Sequence, residues 1–254
     1  MGAELKYEVT VDAVPLGAAY ESWLETLPAP LFGAHPDARV RVLAEELGDP
    51  ARSPVLDLGA GTGRNALFLA RRGHPVDAVE LVPGLGALIG AQATEEKLPV
   101  RVIVGDLFEV GPELGRDYRL VLLGGVAADF RELDELGRAL GLAADRLAPG
   151  GWLALSVHVA RPGYEPDETV RQWAQQSCAM FFTSRELAVA IRELGLELVA
   201  DDSAHDYEAT HLPEKEWPPT PSYAEWALGQ HMFALGRAEC PIELRWLVYR
   251  KTRG

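Results

Sequence analysis

The chain has 254 residues, 48% of them hydrophobic, and carries a formal net charge of −14 from 24 basic and 38 acidic side chains. That length supports one substantial core burying about three quarters of the unfolded surface, and no run of about 18 uninterrupted apolar residues marks a membrane span. The acidity, with no basic cluster beyond scattered pairs such as Arg71-Arg72, argues against nucleic acid, whose phosphates demand a basic surface.

At the start, Met1-Gly2-Ala3-Glu4-Leu5-Lys6 lacks the basic-then-apolar order of an export signal, so a cytoplasmic protein is expected. Residues 1–50 read as a helical lid, with Tyr20 and Trp23 one helical turn apart and Val42, Leu43 and Leu47 on a face that covers the sheet. After Ser53-Pro54 comes the most informative run, Val55-Leu56-Asp57-Leu58-Gly59-Ala60-Gly61-Thr62-Gly63-Arg64-Asn65. Its first four residues suit a buried parallel strand, and Ala66, Leu67, Leu69 and Ala70 then fall at helical spacing. The glycines between allow positive φ and close approach to a ligand, next to the unpaired N–H groups of a helix start.

The glycine spacing separates two cofactor classes. A dinucleotide fingerprint requires G-x-G-x-x-G, whereas the pattern here is G-x-G-x-G with Arg64 at the last expected glycine. Asp57 would repel a pyrophosphate but could bind the ammonium group of an amino acid through charge-assisted hydrogen bonds. A nucleoside carrying an amino-acid tail fits better.

This run resembles the first motif of the class I S-adenosylmethionine-dependent methyltransferases, Asp/Glu-x-Gly-x-Gly-x-Gly. The resemblance implies a doubly wound Rossmann-like α/β fold, with seven strands mostly parallel, the last antiparallel, and helices on both faces. It continues through Pro75-Val76-Asp77-Ala78-Val79-Glu80-Leu81, where Glu80 matches the acid that pairs with both ribose hydroxyls, and Val102 to Leu107, where Asp106 matches the acid contacting the adenine amino group. Tyr118 to Leu123 matches the fourth strand and Leu147-Ala148-Pro149-Gly150-Gly151-Trp152 the turn before the fifth. A helix opening at Thr183 and ending near Gly195, a sixth strand over 196–199 and a seventh over 243–249 complete it. The expected cofactor is S-adenosylmethionine, with S-adenosylhomocysteine as product, held by Asp57, Gly59, Ala60, Gly61, Glu80, Leu81, Asp106, Leu107 and Gly124. Gly63-Arg64-Asn65 looks most like the tellurite-resistance-type and thiol-methylating group.

Two departures stand out. Arg119 replaces the acid common after the aromatic that opens strand four, and the strand ends in Gly124-Gly125 rather than a polar pair. No base is therefore expected at the end of strand four, and glycines there bring backbone close to the methionine end of the cofactor.

Farther along, residues 132–147 place Leu133, Leu136, Leu140, Ala143 and Leu147 on one face of a covering helix. Two long connections, 158–182 and 200–241, join the N-terminal segment to roof the acceptor pocket at the carboxyl ends of the strands. His205, His211, Trp217, Tyr223, Trp226, His231 and Phe233 make the roof aromatic, which favours an organic acceptor over a bare ion, although each ring alone reads first as packing. Pro213, Pro218, Pro219 and Pro221 predict an extended strap before helical periodicity resumes over 222–235. His158, at the carboxyl end of strand five, is the candidate base, weighed against a strand-capping role, and Tyr20 is a candidate acceptor-positioning group. His205, Asp206, His211 and Glu214 fit no established ligand spacing, so no metal site is expected. Cys178 and Cys240 have no C-x-x-C spacing and read as packing residues.

One domain over 1–254 is expected, with a lid at 1–50, a cofactor half at 53–160 and a substrate half at 161–254. The expected function is methyl transfer to an O, N or S nucleophile of a small organic molecule, without nucleic acid or membrane partners. A cofactor-binding module without turnover is the alternative, and a nicotinamide-dependent oxidoreductase a more distant one.

Overall fold

The computed structural model describes residues 16–27 and 30–253. Residues 1–15 of the expected lid, and the start of the chain on which the export argument rests, lie outside the described residues.

β1 (Val55–Leu58) lies between β2 (Val76–Glu80) and β4 (Tyr118–Leu123), and all four of its residues are buried. The sheet runs β3-β2-β1-β4-β5-β8-β7, with β3 at Val100–Val104, β5 at Leu147–Ala160, β7 at Leu196–Ser203 and β8 at Ile242–Lys251. β1 to β5 are parallel, and β8 is antiparallel to both β5 and β7. Strand alternation divides the core between two faces. Leu56, Leu58, Val121 and Leu123 meet Leu136, Ala139, Leu140 and Ala143 of α5 (Leu133–Arg146), while Val55, Leu120 and Leu122 meet α2 (Ala38–Glu46) and α3 (Arg64–Arg71) through Leu43, Leu67 and Ala70. α3 has only eight residues, too few for stability alone. Burial of Leu67 and Leu69, worth about 2 kcal/mol each, fixes it against the sheet.

Several expected boundaries shift. An eighth strand, β6 (Phe181–Phe182), pairs with His158 and Val159 of β5 just beyond the last β4 pair, Leu123 with Leu155. The expected turn at Pro149-Gly150 is instead a bulge within β5, where pairing jumps from Tyr118 with Leu147 to Leu120 with Trp152 and Gly150 takes φ +73. β7 extends to Ser203 because β8 keeps pairing with it that far, and α7 (Ser184–Ala190) ends before Gly195. The helix expected over 222–235 stops as α9 (Tyr223–Ala227), with a turn at Gly229 (φ +71). Val42 is 40% exposed, so Leu43 and Leu47 carry the packing of their helix without it. Among the described residues, no helix is long and apolar enough to cross a membrane.

Candidate active site

The first turn is tied to the sheet by its own backbone. Gly59 and Ala60 N–H donate to Val79 O at 3.0 and 2.9 Å, and Gly61 N–H donates to Glu80 Oε2 at 2.7 Å. Gly59 has φ +76, and a Cβ there would lie 2.8 Å from Val126 Cγ2. At Gly61 (φ +58) a Cβ would lie 3.1 Å from the ring of Phe32, which sits on the turn from the N-terminal side. Both positions demand glycine for conformation and for space.

Glu80 ends β2 with Oε1 accepting from Val82 N–H at 2.9 Å, so its carboxylate braces both the glycine turn and the next segment. Burial raises its pKa, against the backbone donors Val82, Gly61 and Leu81. Leu81 is exposed, Leu107 is buried, and exposed Asp106 accepts from Phe108 N–H at 2.8 Å. Gly105 N–H donates to Glu80 O at 2.9 Å, which sets Asp106 and Leu107 on the ledge beside Glu80.

Asp57 is 2% exposed, and its Oδ2 has no hydrogen-bond partner. Burial pushes its pKa up to about 7; Arg64 opposes that shift, Asp37 and Glu80 add to it, and the backbone of Ala66 near the start of α3 offsets part. Arg64 bonds Asp37 Oδ1 at 2.5 Å, and Asn65 bonds Asp37 Oδ2 at 2.8 Å. A Cβ on Gly124 would lie 3.6 Å from Asn65 Nδ2 and 3.8 Å from Asp37 Oδ2. The end of β4 thus opens beside the Asp37–Arg64–Asn65 cluster.

The two candidate catalytic residues occupy different settings. His158 is fully buried, and its Nε2–H donates to Trp226 O at 2.8 Å, while Nδ1 has no hydrogen-bond partner. Burial, assisted by His231, lowers its pKa to about 3, so the ring is neutral and its backbone bond matches the capping role weighed from sequence. Tyr20, on α1 (Leu16–Thr26), donates its hydroxyl to Asp129 Oδ2 at 2.8 Å and packs edge-on against Trp23 and Phe32.

Sequence reasoning missed Asp129. A short 3-10 turn over Val126–Asp129 follows Gly125 and packs Val126 against Gly59, which brings this acid to the Tyr20 hydroxyl. Its neighbours Ala127, Ala128 and Phe130 are all buried, and a lone acid inside an apolar run was the available signal. Asp37 and Glu208 were also missed. Glu208, on α8 (Ala204–His211), is fully buried and accepts from Ala38 N–H at 2.7 Å and Trp246 Nε1–H at 2.9 Å. The roof aromatics largely contact one another: Trp217 meets His205 and Tyr223 edge-on. Pro219 of the strap packs on Gly33, and Arg41 bonds Glu216 at 2.5 Å. Among the described residues no cluster has the makings of a metal site.

Residues 31–201 match the family described as a methyltransferase domain. Over 43% of the chain, the sequence is 33% identical to Hemagglutinin 1 of Eikenella corrodens, and the match spans 36% of that protein's length. The fold is similar to geranyl diphosphate C-methyltransferase from Streptomyces coelicolor, solved with Mg2+, geranyl diphosphate and S-adenosyl-L-homocysteine (TM-score 0.62, 15% identity, 99% of this chain and 92% of that one). It is also similar to a TehB-like SAM-dependent methyltransferase from Corynebacterium glutamicum (0.55, 18%, 92% and 95%) and to the [4+2]-cyclase SpnF (0.60, 18%, 98% and 100%). With its first motif, strand order and family match in agreement, the chain belongs to the class I methyltransferase family.

Proposed function

We propose that this protein transfers a methyl group from S-adenosylmethionine to an O, N or S nucleophile of a small organic molecule by in-line displacement, releasing S-adenosylhomocysteine. The observation that carries the reading is the turn itself: three glycines at positive φ, braced from β2 by the buried carboxylate of Glu80. Two buried acids at this turn, Asp57 and Glu80, disfavour the pyrophosphate of a nicotinamide dinucleotide and suit an ammonium group and ribose hydroxyls. The unpartnered Asp57 Oδ2 is a buried acceptor that a ligand ammonium would satisfy. Glu80 and Asp106 border the place for the nucleoside, with Leu81 and Leu107 as apolar walls and Gly124 beside the amino-acid end.

The donor supplies an electrophilic methyl on a cationic sulfur, so the chain's own task is orientation and exclusion of water, a proximity effect of up to ~10 kcal/mol. Phe32 on Gly61 and Tyr20 on Asp129 close the turn from the N-terminal side. His158 is neutral and buried, which suits a positioning role beneath the roof through Trp226.

A second reading, cofactor binding without methyl transfer, draws on Gly124-Gly125, where β4 ends without a polar pair. A supply of isotopically labelled donor with a panel of small acceptors separates the two, since only the first predicts label transfer. Glu80→Ala is expected to weaken S-adenosylhomocysteine binding at least tenfold by calorimetry. A change within twofold, ~0.4 kcal/mol, would show that Glu80 does not hold the ligand.

A further inference from the structure

We infer that Asp129 is the acceptor-side carboxylate of this site: its Oδ1 receives the O–H or N–H of the methyl acceptor, while Tyr20 holds the carboxylate in place through Oδ2. The inference rests on the methyltransferase reading above and adds a substrate class to it.

Asp129 Oδ2 accepts from Tyr20 at 2.8 Å and the carboxylate also interacts with the Cys178 thiol, a weak donor, whereas Oδ1 is buried with no N–H or O–H to meet it. A buried carboxylate oxygen left in that state is costly unless a ligand donor meets it. The position is set by three independent contacts. Val126, in the same 3-10 turn, packs where a side chain on Gly59 would be; Met180 N–H donates to Ala128 O at 2.9 Å; and Phe32 bridges Tyr20 and Gly61. The 3-10 turn that carries Asp129 thus packs on the glycine turn through Val126, close enough for the charge of Glu80 to act on Asp129.

The surrounding groups restrict the chemistry. Burial and Asp129 push the Cys178 thiol up to about 12, so it stays protonated and is no thiolate nucleophile. Tyr20 is held well above its usual pKa by burial and by Asp129, so it remains a donor. An anionic acceptor such as a diphosphate, carboxylate or halide would meet Asp129 and Glu80 with like charge. A neutral or cationic hydroxyl or amine would not.

In the step this implies, the acceptor's O–H or N–H proton passes to Oδ1 and the freed electron pair forms the bond to the donor methyl. The C–S bond breaks with its pair left on sulfur, so sulfonium and carboxylate become thioether and carboxylic acid. Asp129 later returns the proton to solvent.

Sinefungin tests the geometry without a known acceptor, because it carries an amine where the donor carries its methyl sulfonium; S-adenosylhomocysteine carries nothing there. The full chain is titrated with both by calorimetry. For Asp129→Asn, sinefungin affinity should fall at least tenfold while S-adenosylhomocysteine affinity stays within threefold, and Tyr20→Phe should give a smaller loss of the same kind. Equal changes for both ligands, or none, would overturn the inference. Failure of the unaltered protein to bind either ligand would instead overturn the cofactor reading on which it rests.

Should Asp129→Asn not fold, the unaltered protein supplies the same test. Burial places the Asp129 pKa at about 6, so the ratio of sinefungin to S-adenosylhomocysteine affinity should fall as pH drops through that value. Facing Asp129 are Tyr20 from α1, Cys178 from the segment before β6, Arg131 and Glu80. Tyr20 and Cys178 stay protonated across that range, and Glu80 acts on the nucleoside common to both ligands. A flat ratio would overturn the assignment.

Discussion

Asp57 shows how one side chain links stability to binding. It lies two residues before Gly59, fully enclosed, with a carboxyl pushed from an ordinary 3.8 to about 7, chiefly by burial. The folded state therefore holds its proton more tightly than the unfolded chain does. This contribution is complete below about pH 4 and disappears as pH rises through about 7, with a slope of at most about 1.4 kcal/mol per pH unit. Glu208, also raised to about 7 by burial, acts in the same direction. Glu96 and Asp206 are held near 2 by Arg71 and Arg237, so their opposite contributions lie at lower pH, while buried His158, lowered from 6.5 to about 3, opposes the fall only up to about pH 6.5. Without ligand, the urea midpoint is expected to fall between pH 5 and pH 8, and Asp57→Asn should flatten that fall. An unchanged slope in the variant would remove Asp57 as a source. The same deprotonation prepares the carboxylate for a ligand ammonium, so apo stability is lowest where binding is best served.

At the scale of elements, β1, the glycine turn and α3 were legible because their signals are local: four apolar residues, three glycines, then helical spacing. The helix start expected at Thr183 stands, and there the structure has both halves of a capping box between Thr183 and Glu186. The roof was not legible. Glu208 reaches across 170 positions to the start of α2, where Ala38 and Arg39 N–H and the Trp246 indole share its oxygens. Asp37, the residue before that helix, makes no side-chain cap of its own and instead joins Arg64 and Asn65. Pairings so distant leave no periodicity, and neither did the return of Asp129 to Tyr20 across 109 positions. The Glu208 lash carries its own prediction. Glu208→Ala leaves three buried donors unmet, at about 1–3 kcal/mol each less relaxation, so a loss of about 2–4 kcal/mol is expected in urea unfolding. Glu208→Gln retains an acceptor oxygen and should lose less. A loss below about 0.5 kcal/mol for the alanine variant would show that the roof does not depend on this contact.

For the molecule as a whole, the mostly parallel sheet with its antiparallel last strand followed from resemblance rather than from periodicity, since buried parallel strands read alike whatever their neighbours. The sequence reading placed the proposed site at the carboxyl ends of the strands. The acids Asp57, Glu80, Asp106 and Asp129 all lie at the carboxyl ends of β1 to β4 or just beyond, where an open α/β sheet gathers its ligands. A formal charge of −14 spreads the same sign over the rest of the chain, in keeping with a neutral or cationic small molecule and against polyanions. The central claim is that this acidic edge binds a nucleoside with an amino-acid tail. The most direct measurement is calorimetric titration of the purified, folded protein with S-adenosylhomocysteine and, in parallel, with reduced nicotinamide dinucleotide. The account predicts micromolar binding of the first, about −8 kcal/mol, and none of the second. Binding of the nicotinamide alone, or of neither ligand, would contradict it.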